Sequence, residues 1–329
     1  MSESTTPIIP SALTLGSLTL QSPFLLAPLE GVSDVGFRRL CFSSGAGLTF
    51  TEMIRAKALA RRNKSTLELI DTFHSDVLTG IQLLATSAAE LDDALGVVDD
   101  CANSSHPHFK NIRAIDLNFG CPSKDIVQIG AGPAMLKRRA KLTSILEALA
   151  KSKARLSFPV GAVSCKIRLG LNAKEMAHKV YLPVVEAASS VGLDFMTIHA
   201  RHAGMRSRDP AQWEAIAEAK RVSTIPIIGN GDVRSRDDAT KLKTLSGCDG
   251  FLIARAAIEN PYVFRALRGD SAVVTVDDVE AERLRYQETA AHHHTKEKYR
   301  ATHTDTFARL RRMAFGEAVT MSMPKNAHM

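Results

Sequence analysis

Short, unbroken apolar runs recur along the chain, separated by longer stretches in which apolar residues are spaced by charged ones. The runs lie at residues 24–27, 48–53, 78–83, 112–117, 162–167, 195–199, 225–229 and 251–254, and they are rich in Ile, Val, Leu, Phe and Thr. A continuous apolar run of this length suits a strand buried on both faces, as in a parallel sheet. The stretches 88–100, 140–151, 173–191, 210–221 and 235–245 between them have the spacing of amphipathic helices. Asp209-Pro210 offers one helix a cap and a proline at its first position. Ser235 offers another a cap. Strand–helix repetition implies parallel strands joined by right-handed crossovers. Eight repeats is the number that closes a (β/α)8, or TIM, barrel; the alternative is an open doubly wound sheet.

Outside the repeats the pattern changes. Residues 1–20 read as a flexible N-terminal arm, 21–269 as the barrel, and 270–329 as a short helical segment. In that last part, 276–299 is charged and helical in pattern. Residues 306–319 suggest another helix, carrying Arg309, Arg311 and Arg312, and 321–329 carry no structural signal.

Composition narrows the class. Hydrophobic residues make up 45% and charged residues 23%, which fits a globular protein and not a disordered one. The formal net charge of +7 is compatible with an anionic partner such as RNA. The five cysteines, Cys41, Cys101, Cys121, Cys165 and Cys248, are odd in number and widely spaced, with no C-x-x-C pair. They form neither a disulfide framework nor a zinc site, and fit free thiols in a reducing compartment. His292-His293-His294 lacks carboxylate or Cys neighbours and reads as a polar helix face, so no metal is expected. The first residues show no secretory pattern and no segment has the apolar length of a membrane span, so the expected location is the cytoplasm.

In such barrels the active site lies at the C-terminal ends of the strands. Those ends carry Glu52, Gln82, Asn118, Lys166 with Arg168, His199 with Arg201, Asn230-Gly231-Asp232 and Arg255. Each alone has a structural reading as a satisfied polar residue. Together they would converge on one cavity. The loops after strands seven and eight form the usual phosphate grip. Gly231 lets backbone N–H groups approach closely, and Arg255 supplies a cationic fork. A mononucleotide such as FMN would fit there. Lys166 would place a cation where a reduced flavin carries negative charge.

Cys121 lies in Asn118-Phe119-Gly120-Cys121-Pro122-Ser123-Lys124, on a loop directly after a strand. Gly120 permits a tight bend and Pro122 stiffens it. A thiol with an ordinary pKa of about 8.5 is mostly protonated near neutrality, so it can donate a proton as well as act as a nucleophile. The other four cysteines fit the commoner fate of buried structural thiols.

These motifs, in this order, resemble the tRNA-dihydrouridine synthase family from about residue 23 to residue 267. The most specific part is Ile115-Asp116-Leu117-Asn118-Phe119-Gly120-Cys121-Pro122-Ser123-Lys124 followed by Gly130-Ala131-Gly132-Pro133-Ala134-Met135-Leu136. Support comes from Leu26-Ala27-Pro28-Leu29-Glu30-Gly31-Val32, Cys165-Lys166-Ile167-Arg168-Leu169-Gly170, His199-Ala200-Arg201 and Ile228-Gly229-Asn230-Gly231-Asp232. The resemblance implies FMN as cofactor, NADPH as electron source and tRNA as substrate. It implies that Ala27, Pro28, Leu29, Gln82, Lys166 and His199 contact the flavin. Asn230, Gly231 and Arg255, with their neighbours Asp232 and Ala254, would hold its phosphate end. Cys121 corresponds to the family's proton donor, and Asn118 and Arg168 would contact the uracil. The implied reaction saturates the C5–C6 bond of a uridine taken out of the RNA fold.

The chain departs from that pattern at Ala254, where the family usually has Gly before the Arg. The added methyl group is expected to crowd the phosphate. The segment Gly204-Met205-Arg206-Ser207-Arg208 is unusually basic, and the region after Gly269 is short for the family's RNA-gripping helical domain. Basic clusters at Arg61-Arg62-Asn63-Lys64, Lys137-Arg138-Arg139 and Arg309 with Arg311 and Arg312 could contact phosphates. A monomer with no stable protein partner is expected. The competing readings are a dihydroorotate or dihydropyrimidine dehydrogenase-like FMN barrel, and a catalytically inactive RNA-binding relative.

Overall fold

The computed structural model describes residues 8–70, 72, 74, 76–104, 109, 111–292 and 295–316. Strands β1 (Leu13–Leu15) and β2 (Leu18–Leu20) form an antiparallel hairpin. The other strands are β3 (Phe24–Leu26), β4 (Thr49–Arg55), β5 (Thr79–Leu84), β6 (Ile112–Phe119), β7 (Ala162–Arg168), β8 (Phe195–His199), β9 (Ile227–Asn230) and β10 (Gly250–Ile253). They pair in parallel in chain order from β4 to β10, and β10 returns to β3. A parallel bridge between Leu25 and Leu48 closes the ring, with the Leu26 N–H donating to the Leu48 carbonyl at 2.9 Å. The chain is therefore an eight-stranded parallel barrel, as the eight apolar runs predict. Every residue of β3, β5, β9 and β10 is buried, as strands covered on both faces must be.

Helices fill the crossovers. They are α1 (Val35–Ser43), α2 (Ala56–Ala60), α3 (Lys64–Leu67), α4 (Ala88–Asn103), α5 (Lys124–Gln128), α6 (Arg139–Arg155), α7 (Ala173–Ala177), α8 (Leu182–Ser190), α9 (Glu214–Val222) and α10 (Arg236–Ser246). After β10 come α11 (Arg255–Glu259), α12 (Val263–Arg268), α13 (Val276–His292) and α14 (Glu297–Ala314). Ser235 caps α10 as expected. Its hydroxyl accepts from the Asp238 N–H while the Asp238 carboxylate accepts from the Ser235 N–H.

Four expectations need correction. Residues 13–20 of the expected arm are the β1–β2 hairpin, with Leu15 and Leu20 fully buried in the main core. Asp209-Pro210 starts no helix, because Asp209 is committed to a loop. Its carboxylate accepts from the Arg206 N–H at 2.7 Å and its carbonyl accepts from Arg201 Nε at 2.7 Å, so α9 begins only at Glu214. The stretch 173–191 is two helices, parted where Lys179 takes φ of 52° ahead of Pro183 in the first turn of α8. The C-terminal segment breaks after His292 instead of near residue 299, and α14 covers most of the expected 306–319 helix. His293, His294 and residues 317–329 lie outside the described residues.

The helices α13 and α14 are packed onto the barrel. Val279, Tyr286, Ala290, Phe307 and Leu310 share a second apolar cluster with Leu40 of α1 and Tyr262. Polar contacts add to it. The Tyr286 hydroxyl donates to Asp34 at 2.8 Å, and Arg309 donates to the carbonyls of Ile258 and Glu259 at 2.7 and 3.0 Å.

Candidate active site

The parallel register stacks the polar strand residues in rows at the C-terminal end of the barrel. Gln82, Asp116 and Ser164 are paired neighbours across β5, β6 and β7. Asn118 and Lys166 form the next pair along the same strands. Arg168, His199 and Asn230 form the row nearest the strand ends. Alternation along each strand turns these side chains to the same side, into the barrel mouth.

A cavity of about 1100 Å³, including space open to solvent, lies there. Every residue given a catalytic, cofactor or substrate role from the sequence lines it: Ala27-Pro28-Leu29, Gln82, Asn118, Cys121, Lys166, Arg168, His199, Asn230-Gly231-Asp232 and Ala254-Arg255. Arg201, read from the sequence beside His199, lines it too, and so do Glu30, Arg234 and Met205, which were not picked out as site residues. For Glu30 and Arg234 the signal was adjacency to Leu29 and Asp232, and Met205 lies in the basic segment 204–208. Glu52 is not part of this wall. Its buried carboxylate accepts from the Gly31 N–H at 2.8 Å and from the Tyr299 hydroxyl, tying β4 to α14.

The wall is cationic. Lys166, Arg168, Arg201, Arg234 and Arg255 face Glu30 and Asp232. Burial pulls the Lys166 ammonium down to about 8, with Arg168 adding to the fall and Asp116 and Cys121 opposing it. His199 is held well below its ordinary range by burial and by four surrounding cations, so its ring is neutral. Its Nε2 lies 3.2 Å from an Arg201 nitrogen. Since a guanidinium only donates, Nε2 accepts and the ring proton sits on Nδ1.

Arg201 and Arg255 are joined by one carboxylate. Arg201 donates to Asp232 at 2.6 Å and Arg255 donates to Asp232 at 2.5 Å. Burial pushes the Asp232 carboxyl up, but the bonds from Arg201 and the Ala211 N–H, with the charge of Arg255, outweigh it and hold it low. Arg255 also donates to the Ser207 carbonyl at 2.7 Å, which draws the basic loop after β8 over this corner. The Asn230 side chain donates across to the Leu252 carbonyl at 2.7 Å. Gly231 has φ of +123°, and a Cβ there would lie 2.9 Å from that of Ala211. Ala254 sits at φ −118°, where a methyl group brings no left-handed strain.

Cys121 occupies the turn between β6 and α5. Burial pushes its thiol up; the Ser123 N–H pulls down, Glu30 pushes up, and Arg168 and Lys166 pull down without reversing the result. The thiol is therefore protonated at neutral pH. The Asn118 side-chain oxygen accepts from the N–H groups of Gly120 and Cys121 at 3.0 and 2.9 Å. Gly132, at φ of +57°, closes the turn from below, where a Cβ would stand 2.7 Å from the Cys121 carbonyl oxygen. Cys41, Cys165 and Cys248 are buried, as structural thiols should be. Among the described residues no group of three potential metal ligands occurs, and no helix is long and apolar enough to cross a membrane.

The residues fit a flavin mononucleotide by chemistry. The cavity has an apolar lip in Ala27-Pro28-Leu29, a cation and neutral polar groups in its wall, and a glycine turn with two guanidinium groups at one corner.

The family model described as dihydrouridine synthase (Dus) matches residues 25–327. A probable tRNA-dihydrouridine synthase of Mycobacterium tuberculosis (strain ATCC 25618 / H37Rv) is 31% identical over 264 residues, covering 78% of this chain. The chain spans 64% of the length of that relative. The tRNA-dihydrouridine synthase B of Pseudomonas syringae pv. tomato is 30% identical over 288 residues, covering 86% of this chain and 80% of the relative. Among solved structures, histamine dehydrogenase from Rhizobium sp. 4-9 superposes with a TM-score of 0.60 at 13% identity, covering 84% of this chain and 51% of that one. Morphinone reductase in complex with tetrahydroNAD gives 0.55 at 12% identity, covering 81% and 92%. At such identities the likeness extends to the fold alone.

Proposed function

The chain belongs to the dihydrouridine synthase family, and from that premise we propose that it reduces the C5–C6 double bond of a uridine in tRNA, with FMN as cofactor and NADPH as electron donor. The observation that carries the reading is a neutral thiol, Cys121, on the wall of the same cavity as the Lys166 ammonium. Ala27, Pro28 and Leu29 would flank the flavin ring, with Gln82, Lys166 and His199 against its edge. Asn230, Gly231 and Arg255 would hold the phosphate, beside Asp232 and Ala254. FMN supplies, when bound, a hydride drawn from NADPH for uracil C6.

The protein's own groups do the rest. Cys121 gives its proton to C5, so that one hydride and one proton complete the saturation. Burial keeps the thiol protonated before the step, and the thiolate left behind meets the charges of Lys166 and Arg168. Asn118 and Arg168 would hold the uracil, Arg168 as a donor to a ring oxygen. His199, being neutral, adds a polar contact without another buried charge. The basic surface supports RNA as the partner. We place the protein in the cytoplasm, acting as a monomer.

The test is to load the purified protein with FMN and NADPH and offer it an unmodified tRNA transcript or free pyrimidines. Mass spectrometry of the digested RNA should show uridine gaining two hydrogens, with free uracil and orotate left unchanged. Equal turnover of the free bases would replace the RNA reading with a free-pyrimidine dehydrogenase. Failure to take up FMN would leave an RNA-binding relative without the chemistry.

A further inference from the structure

Beneath the cavity wall a chain of hydrogen bonds leads from a buried carboxylate to the backbone that carries Cys121. Asp116 of β6 is 2% exposed. Ser164 Oγ donates to Asp116 Oδ1 at 2.6 Å and Gln82 Nε2 donates to Asp116 Oδ2 at 2.7 Å. The other end of the Gln82 amide accepts from Asn118 Nδ2 at 2.8 Å. Asn118 Oδ1 in turn accepts the two N–H groups of the cysteine turn.

The ends of this chain have fixed polarity. A carboxylate only accepts and a backbone N–H only donates, so two amides linked between them have one consistent orientation. Turning Asn118 over would set its NH2 group against two N–H donors. Turning Gln82 over would set its oxygen against the Asp116 carboxylate. Each error would leave buried polar groups unpaired, which the fold does not tolerate cheaply. Burial pushes the Asp116 carboxyl up to about 6, with Ser164, Gln82 and Lys166 pulling the other way, so it is ionised at neutral pH.

We propose that Asp116 is a positioning residue: acting through Gln82 and Asn118, it sets the orientation of both amides and holds the turn that presents Cys121 to the cavity. Asn118 is thereby left with one N–H and no free acceptor, which suits a carbonyl oxygen of the bound ring. The consequence for turnover rests on the reading of Cys121 as the acid; the consequence for the turn does not.

The test uses the full chain with Asp116→Ala, Asp116→Asn, Gln82→Met and the Asp116→Ala/Gln82→Met double variant. Hydrogen exchange of the peptide over residues 118–123 is measured beside kcat and KM for a tRNA transcript. Asp116→Ala and Gln82→Met should each speed exchange at Gly120 and Cys121 by about tenfold or more, and the double variant no further. Asp116→Ala should lower kcat by about tenfold or more, since small displacements of a reacting group are costly, with KM changed less than about threefold. Asp116→Asn can still accept from Gln82 while donating to Ser164, so exchange and kcat should stay within about threefold of the parent. If Asp116→Ala does not fold, Gln82→Met must still loosen the turn and Asp116→Asn must still hold it. Unchanged exchange in the loosening variants, or an Asp116→Asn as damaged as Asp116→Ala, overturns the proposal. Faster exchange without any fall in kcat would keep the positioning role and remove Cys121 as the acid.

Discussion

At the scale of single residues, the site works by making ordinary groups unusual. Lys166 illustrates the sign of the effect. An exposed lysine keeps its charge to about pH 10.4, whereas burial brings Lys166 down to about 8. Its folded value lies below its unfolded one, so the unfolded chain binds more protons between the two values. Stability attributable to this group therefore rises with pH across that window. Activity should run the other way. Dihydrouridine formation should fall as pH rises through about 8, and Lys166→Met should lose that limb; a profile flat from pH 7 to 9.5 would remove the lysine from the chemistry. The residues of the cavity wall were legible because strand ends in a barrel converge, and Cys121 stood out because it sits in a loop. Asp116 was not legible as a positioning group. In the sequence it is one polar position inside an apolar strand, and its role depends on register with Gln82 and Ser164, which a single strand does not reveal.

At the scale of elements, the eight strands were readable because double-sided burial demands unbroken apolar runs. The capping box of α10 was half visible, in Ser235. Asp209-Pro210 misled, because a good helix start competes with tertiary partners, and here Arg201 and Arg206 take the aspartate. The hairpin has a plain signal that reading 1–20 as an arm passes over: Leu13-Thr14-Leu15, then Gly16-Ser17, then Leu18-Thr19-Leu20. Gly16 takes φ of 58°, as a tight hairpin turn with glycine first requires. The hairpin packs under the barrel, and the Ser17 N–H donates to the Gly161 carbonyl at 2.9 Å, just before β7. Leu15→Ala should cost about 2–5 kcal/mol, as for other buried leucines, read from urea unfolding of the whole chain. A change below about 0.5 kcal/mol, typical of a surface site, would restore the flexible-arm reading.

At the scale of the whole molecule, the fold joins two tasks. The barrel mouth gathers cations, two amides and a thiol around one cavity. The C-terminal helices are fastened to the loop after β3, whose residues 27–30 line that cavity. The fastening runs through His303, which lies 2.9 Å from the Val32 carbonyl, and through Tyr299, which bonds the same Glu52 that accepts from Gly31. The C-terminal helices and the loop that borders the cavity are thus held together. None of this coupling was readable in the sequence, where the segment after residue 269 shows only helical pattern and charge.

The account as a whole turns on Cys121 serving the RNA half of the reaction and not the flavin half. The direct measurement is anaerobic stopped-flow absorbance of the FMN-loaded protein and its Cys121→Ala variant, first mixed with NADPH and then with a tRNA transcript. Flavin reduction by NADPH should be equal in both proteins to within about twofold, while reoxidation by tRNA should be slower in the variant by about 10²–10⁴, the range of general acid catalysis. Reoxidation of the variant at the parent rate would contradict the account.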